Sequence, residues 1–314
     1  MRIDEELSRA SPSKDTLLTV GVFDGVHLGH RHLFSRLKQE ARERGLSSGA
    51  VTFINHPRRV LYPEQPISYL STSEERVRLI GELGLELVVP ITFDLELSKL
   101  TARQYLERLQ KHLRMRGLVV GPDFALGHQR EGDIRVLADL GQEMGFSIEV
   151  VDPLYLGEIP VRSSVIREAL SRGDVGKATK LLGRNFSLSG EVAVGYGRGK
   201  GLGFPTANLQ VAPERLLPRD GIYATWARLD DERYMAATSI GTRPTFGPGE
   251  RTVEAFLLDF QEDLYGREMS LEFVQRIRDE VSFESPEDLQ AQIAQDVAET
   301  REILGSVQPI GSQP

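Results

Sequence analysis

Cysteine is absent from all 314 residues. That excludes disulfide staples, thiolate nucleophiles and cysteine-ligated metal centres at once. No stretch approaches the roughly 18 consecutive apolar residues that a membrane span requires, and Met1 to Asp15 are charged and polar without the apolar segment of an export leader. A soluble chain in the cytoplasm is the expectation. Basic residues are outnumbered, 38 Lys and Arg against 46 Asp and Glu, for a net charge of -8. A chain of that sign repels polyphosphate backbones in general, so nucleic acid is not an expected partner, and any nucleotide must be held by local amides and a few placed cations. Tryptophan occurs once and histidine six times.

What is present is the composition of a globular protein, 40% apolar and 27% charged. The length exceeds what one hydrophobic core usually serves, so two domains are expected. Up to about Leu182 short β-branched runs alternate with amphipathic stretches, the grammar of strand-helix-strand units around a parallel sheet. The strands are read at Leu17 to Phe23, Ala50 to Phe53, Leu87 to Ile91, Leu118 to Val120 and Phe146 to Val151. A helix after Gly29 carries Leu33, Phe34, Leu37 and Ala41 on one face. Another begins near Ser71 and Thr72, with Glu74 and Glu75 at capping-box spacing. From Ser187 the runs are separated by Gly, Pro and Asp: Leu188 to Val194, Ile222 to Leu229, Tyr234 to Ile240, Val253 to Phe260 and Met269 to Val274. These predict a small antiparallel barrel, with Asp230, Asp231 and Glu232 as a solvated hairpin tip and Trp226 among the core aromatics. Ser285-Pro286-Glu287 starts a closing helix that runs to about Leu304. The boundary is placed between 183 and 184.

Two places carry chemistry. The first is Gly21-Val22-Phe23-Asp24-Gly25-Val26-His27-Leu28-Gly29-His30, which leaves a strand and enters a helix, where open parallel sheets bind ligands. Two imidazoles three positions apart share one face of a first helical turn, and Gly25 and Gly29 admit a close backbone approach. A phosphate cradle lined by Phe23, Asp24, Gly25, His27, Gly29 and His30 is one reading; a helix with two surface histidines is the other. A zinc site is a poorer one, since Asp24 is the local carboxylate and no cysteine is available. Val161-Arg162-Ser163-Ser164-Val165-Ile166-Arg167 begins a second helix with serine caps and a cation, so two helix starts can flank one polyphosphate.

The second is Gly195-Tyr196-Gly197-Arg198-Gly199-Lys200-Gly201-Leu202-Gly203-Phe204-Pro205-Thr206-Ala207-Asn208. So many glycines expose successive amides, with Arg198 and Lys200 in reach of phosphates, or they form a plain turn between strands. Thr206 and Asn208 face one way in an extended segment, offering two oxygens to a hard cation such as magnesium. Glu254, ahead of Ala255, Phe256, Leu257 and Leu258, is either an exposed strand glutamate or a carboxylate in mostly buried surroundings.

Together these motifs resemble the nucleotidyltransferase superfamily and, within it, the bacterial bifunctional riboflavin kinase/FAD synthetase family. The resemblance is carried further by Thr52-Phe53-Ile54-Asn55-His56-Pro57, Val119-Val120-Gly121-Pro122-Asp123-Phe124, the Pro-Thr-Ala-Asn signature at 205 to 208, Ser239 to Phe246, and Leu264-Tyr265-Gly266. It implies a Rossmann-like adenylyltransferase domain (1-183) and a riboflavin-kinase barrel with a C-terminal helix (184-314). It further implies riboflavin, FMN, FAD and ATP with magnesium as substrates and cofactor. His27 and His30 then contact ATP phosphates, Ser164 and Arg167 hold the triphosphate, and Asp123 with Phe124 lies near the flavin. Thr206 and Asn208 sit at metal and nucleotide, with Gly197 and Lys200 in the nucleotide loop. Glu254 is the general base, and Arg278 belongs to a loop closing over the flavin. His56 is read equally as a substrate contact and as a cap on the loop after the second strand. The chain departs from the pattern at Asn55, where Pro is usual, at Arg162, where Ser is usual, and at Leu126, where an aromatic is usual. An enzyme with one surviving activity, or a flavin-binding regulator without chemistry, are the other readings of such a chain.

Overall fold

Alternate residues of the first strands point into two different cores. In β1 (Thr16–Gly21), Leu17 packs with Phe34, Leu37, Ala41 and Ala50 on one side. Its neighbours Leu18 and Val20 pack with Val51, Tyr105, Leu106 and Leu118 on the other. A strand buried on both faces belongs inside a parallel sheet covered twice by helices. The computed structural model, which describes residues 1–65, 67–193, 203–242 and 251–306, has that arrangement. Its chain divides into two compact units, Met1–Ser163 and Ser164–Pro314.

The first unit holds β1, β2 (Ser47–Phe53), β3 (Leu87–Ile91), β4 (Met115–Val120) and β5 (Ser147–Val150), all parallel, in the order β3-β2-β1-β4-β5. Helices α2 (Leu28–Glu43) and α4 (Ser73–Glu82) pack on one face, and α1 (Arg2–Ser8) rests on α5 (Ala102–Leu113), which meets β4 on the other. A short α3 (Pro57–Leu61), α6 (Ile134–Met144) and an exposed hairpin of β6 (Tyr155–Leu156) and β7 (Ile159–Pro160) complete it. The expected capping box forms: Thr72 accepts from the Glu75 amide while the Glu75 carboxylate accepts from the Thr72 amide. Because the chain proceeds outward in opposite directions from β1 and β4, the carboxyl ends of those two strands part to leave a crevice.

Helix α7 (Ser163–Ser171) starts on the last residue of the first unit, and in the second unit the rest of it and α8 (Val175–Leu182) precede a closed barrel of β8 (Phe186–Ala193), β9 (Ala207–Leu209), β10 (Gly221–Leu229), β11 (Glu232–Thr242), β12 (Arg251–Leu257) and β13 (Glu268–Arg278). The strands run β10-β11-β12-β9-β8-β13, every described pair antiparallel. The closing helix α9 spans Pro286–Ser306. Asp230 and Asp231 form the hairpin tip, Asp230 with a left-handed φ of 52° and an ion pair to Arg267. Trp226 is a correction to the expected core: it is half-buried, with the Arg233 guanidinium 4.3 Å above its ring.

Candidate active sites

The turn after β1 is wound against ordinary preference. Phe23, Gly25 and Val26 all have positive φ, at 52°, 79° and 39°. A β-branched residue in the left-handed region is held there only when its surroundings over-determine it. Asp24 supplies the restraint. Its buried carboxylate accepts from the Leu70 amide at 3.0 Å and from the Ser71 amide and hydroxyl at 3.1 and 3.2 Å. Ser71 Oγ in turn accepts from the Gly25 amide at 2.9 Å. Asp24 is thus a strut that ties the turn to the start of α4, and Phe23 lies buried with its ring edge-on to His30 and Phe34.

His27 caps α2, its Nδ1 accepting from the His30 amide at 3.3 Å. An acceptor at Nδ1 leaves the proton of a neutral ring on Nε2. The two imidazoles stack with centroids 3.6 Å apart and planes at 18°. His27 is 4% exposed, and the half-buried His30 forms the open side of the stack. A Cβ on Gly29 would come within 2.7 Å of the Val161 carbonyl, so only glycine lets the segment before α7 cross here. On the same crossing, Ser163 Oγ donates to the Asp24 carbonyl at 3.0 Å.

At the carboxyl end of β4, Asp123 is exposed and forms an ion pair with Arg162 at 3.0 Å, while Phe124 packs against the core. After β2, His56 caps α3 by accepting from the Arg58 amide at 3.1 Å. Asn55, the departure from proline, has a clear place. Its Oδ1 accepts from the Phe93 amide at 2.9 Å and its Nδ2 donates to the Phe93 carbonyl at 2.8 Å, which continues the β2-β3 ladder through a side chain. Ser164 and Arg167 lie one turn apart on α7, in the second compact unit.

In the barrel, Val253, Ala255 and Leu257 of β12 are buried while Glu254 and Phe256 alternate with them, half-buried. Glu254 therefore stands on the outer face, in less buried surroundings than expected. Its register partner on β9 is Asn208 and on β11 is Ser239. Thr206 Oγ1 donates to Glu254 Oε2 at 3.4 Å, and Phe204 meets Phe256 edge-on at 5.2 Å. Three expected residues thus converge, with oxygen donors only, the donor class that suits a hard cation. Residues 195–202 of the glycine-rich loop, Gly197 and Lys200 among them, and the 243 to 246 part of the flavin-family stretch lie outside the described residues.

Arg278 is the last residue of β13 rather than part of a loop. Its guanidinium forks onto Asp296 of α9 at 2.8 and 2.6 Å, a carboxylate 5% exposed that Gln292 also supports at 3.1 Å. Sequence reading missed Glu280, whose carboxylate accepts from Ser239 Oγ at 3.4 Å beside Glu254's own strand partner. Burial, with Asp220 nearby, pushes the Glu280 carboxyl above its usual value. Forty-one positions separate it from Ser239, so no local spacing could have announced it.

Comparison with known proteins decides the family. The FAD synthetase family matches residues 9–165 and the riboflavin kinase family residues 182–304. The bifunctional riboflavin kinase/FMN adenylyltransferase of Escherichia coli (strain K12) is 36% identical over 96% of this chain and 97% of its own length. This chain belongs to the bifunctional riboflavin kinase/FMN adenylyltransferase family. The like-named proteins of Bacillus subtilis (strain 168) and Listeria monocytogenes are 33% and 31% identical over 90% and 93% of the chain. A solved structure described as a macrolide-efflux protein from Streptococcus pneumoniae matches with a TM-score of 0.85 at 29% identity, covering 94% of this chain and 96% of that one. Efflux is said of that protein; among the described residues here no helix is long and apolar enough to cross a membrane. Both activities of the family, riboflavin phosphorylation and FMN adenylylation, follow for this chain from the two matched domains and the full-length relatives.

Proposed function

We propose that the barrel makes FMN from riboflavin and ATP through Glu254, and that the parallel-sheet unit makes FAD from FMN and ATP around His27 and His30. The convergence of Thr206, Asn208 and Glu254 on one face of β9 and β12 is the observation that carries the first half. The acceptor there is a primary alcohol, almost wholly protonated at pH 7, so a base is required. Glu254 takes that proton as the alcohol oxygen bonds to the γ-phosphorus and the bond to the ADP oxygen breaks. Thr206 and Asn208 would hold magnesium with the nucleotide, and the cation would offset charge gathering on the transferred phosphoryl group. Thr206 also fixes the Glu254 carboxylate before substrate arrives. Gly197 and Lys200 take part in the nucleotide loop, and Arg278, held by Asp296, forms one wall of the flavin pocket.

In the second reaction an FMN phosphate oxygen, already ionised, bonds to the α-phosphorus and pyrophosphate leaves, so no base is needed. What the chain supplies is position and donors to developing charge. The ring N–H groups of the stacked pair are those donors. Phe23, Asp24, Gly25 and Gly29 shape the backbone that receives the nucleotide, Ser164 and Arg167 hold the triphosphate, and Asp123, Phe124 and His56 face the flavin. The functional boundary lies between 183 and 184, and the enzyme works in the cytoplasm on small molecules alone. One assay tests the whole reading: riboflavin, ATP and magnesium are supplied, and FMN and FAD are separated by chromatography. Formation of both supports it; FMN without FAD, or neither, defeats it.

A further inference from the structure

The crevice between β1 and β4 carries a cation whose present partner is the wrong one to keep. Arg162 Nη2 lies 3.0 Å from Asp123 Oδ2, and the two side chains are 51% and 74% exposed. On either side of Arg162 the segment meets the turn that bears His27 and His30: the Val161 carbonyl packs over Gly29, and the Ser163 hydroxyl donates to the Asp24 carbonyl. Asp123 is held separately, its carbonyl accepting from Arg130 Nη2 at 2.9 Å. Segment held, side chain exposed: the guanidinium can change partner without moving the segment that carries it.

An ion pair this open to water holds weakly, because both charges stay solvated and two long side chains lose freedom to keep it. A phosphoryl group offers the same guanidinium two or three oxygens in fork geometry and up to twice the charge. The exchange therefore favours the phosphoryl group whenever one enters. It also matters for Asp123, whose carboxylate at the mouth would repel an incoming anion were Arg162 not beside it. Serine, the residue usual at this position, cannot reach across the crevice.

We infer that Arg162 is a phosphoryl-binding residue of the adenylylation site, parked on Asp123 in the free enzyme and transferred to a substrate phosphoryl group on binding. This rests on the adenylyltransferase reading above. The phosphoryl group is that of the ATP polyphosphate or of FMN, and kinetics in both directions tell them apart: ATP and FMN going forward, pyrophosphate with FAD in reverse.

The wild-type rate is measured first, and a protein that makes no FAD fails the earlier reading rather than this one. With activity in hand, Arg162→Ser raises the KM for the phosphoryl substrate about tenfold with kcat changed far less, as loss of a ground-state charge contact should. A rise for ATP and pyrophosphate assigns the polyphosphate; a rise for FMN alone assigns the flavin phosphate. Arg162→Lys, which keeps the charge and loses the fork, gives a smaller rise and serves if the serine variant does not fold. Asp123→Asn combined with Arg162→Ser stays at the raised KM. The inference is overturned if neither Arg162 variant moves any of the three constants, or if the double variant recovers wild-type constants, which would make Arg162 a mask for Asp123 and nothing more.

Discussion

Asn208 and Glu254 stand opposite each other across β9 and β12, and Thr206, two residues before Asn208, donates to the Glu254 carboxylate. The pairing puts a carboxylate and two neutral oxygen donors on one patch of barrel wall. Glu254→Gln keeps the size and the Thr206 contact but cannot accept a proton from the ribityl hydroxyl. The rate of FMN formation should fall by about two to four orders of magnitude, the usual worth of a positioned base. FAD formation from supplied FMN should continue. A variant that phosphorylates riboflavin within a few-fold of wild type would remove Glu254 from the mechanism.

His27 and His30 are stacked at 3.6 Å, so replacing one perturbs the other, and the double change to Ala is the cleaner test. Loss of one donor to developing charge typically costs about 3 kcal/mol, or a hundredfold in rate, and a pair costs more without strict additivity. FAD synthesis should drop by at least that factor while riboflavin phosphorylation persists. Equal loss of both activities would indicate misfolding instead, because His27 also caps α2.

Much of this was legible from spacing. The His-x-Gly-His turn falls where β1 meets α2, and the Thr72 capping box is where Glu75 predicts it. Glu254 was placed on its strand, but the face it occupies depends on register with β9, a strand of three residues that no periodicity can reveal. Asp24 is expected in the phosphate cradle, but the partners that hold its carboxylate, the amides of 70 and 71, are 46 and 47 positions away and no local spacing announces them. Asn55 looked like a flaw until Phe93 appeared opposite its amide. Arg278 was expected in a loop, since nothing local signals that β13 runs 11 residues or that Asp296 waits on α9. Contacts distant in sequence account for each of these differences.

The N-terminal helix supplies a pH test. Burial pushes the Glu6 carboxyl up, but the Thr92 amide and hydroxyl at 2.8 Å, with Arg2, outweigh it and hold the group below its ordinary 4.5. A lowered folded value contributes stability that is present above 4.5 and is lost as pH falls through the folded value. Glu6→Gln lacks that contribution. Its denaturant midpoint should lie below wild type at pH 7, and the gap should close progressively as the pH drops below 4.5. A gap independent of pH would mean that packing of α1 on α5, not the carboxylate, sets the difference.

The last test concerns where the kinase can be cut. The change of pattern puts the boundary at 183/184, whereas the compact units divide at 163/164. Helix α8 packs on β8 and β13, with Val175, Ala178, Leu181 and Leu182 buried. Ahead of it, the Leu170 carbonyl accepts from the Arg219 amide at 2.9 Å, and Arg219 in turn offers its own carbonyl to the Tyr223 hydroxyl. Gly173, at φ 81°, leaves no room for a Cβ beside Arg276, only 2.5 Å away. A fragment starting at residue 184 loses all of this and uncovers the barrel wall that α8 shields. At about 1.5 to 3 kcal/mol for each large apolar side chain buried, even two leucines are a sizeable part of a small domain's stability of roughly 5 to 15 kcal/mol. Residues 164–314 should therefore fold, melt cooperatively and make FMN but no FAD. Residues 184–314 should melt many degrees lower or fail to stay soluble. The two fragments are compared by thermal unfolding followed by circular dichroism and by riboflavin phosphorylation. Equal melting temperatures would show that α7 and α8 add nothing to the barrel, and an inert but folded longer fragment would show that the kinase needs the first unit.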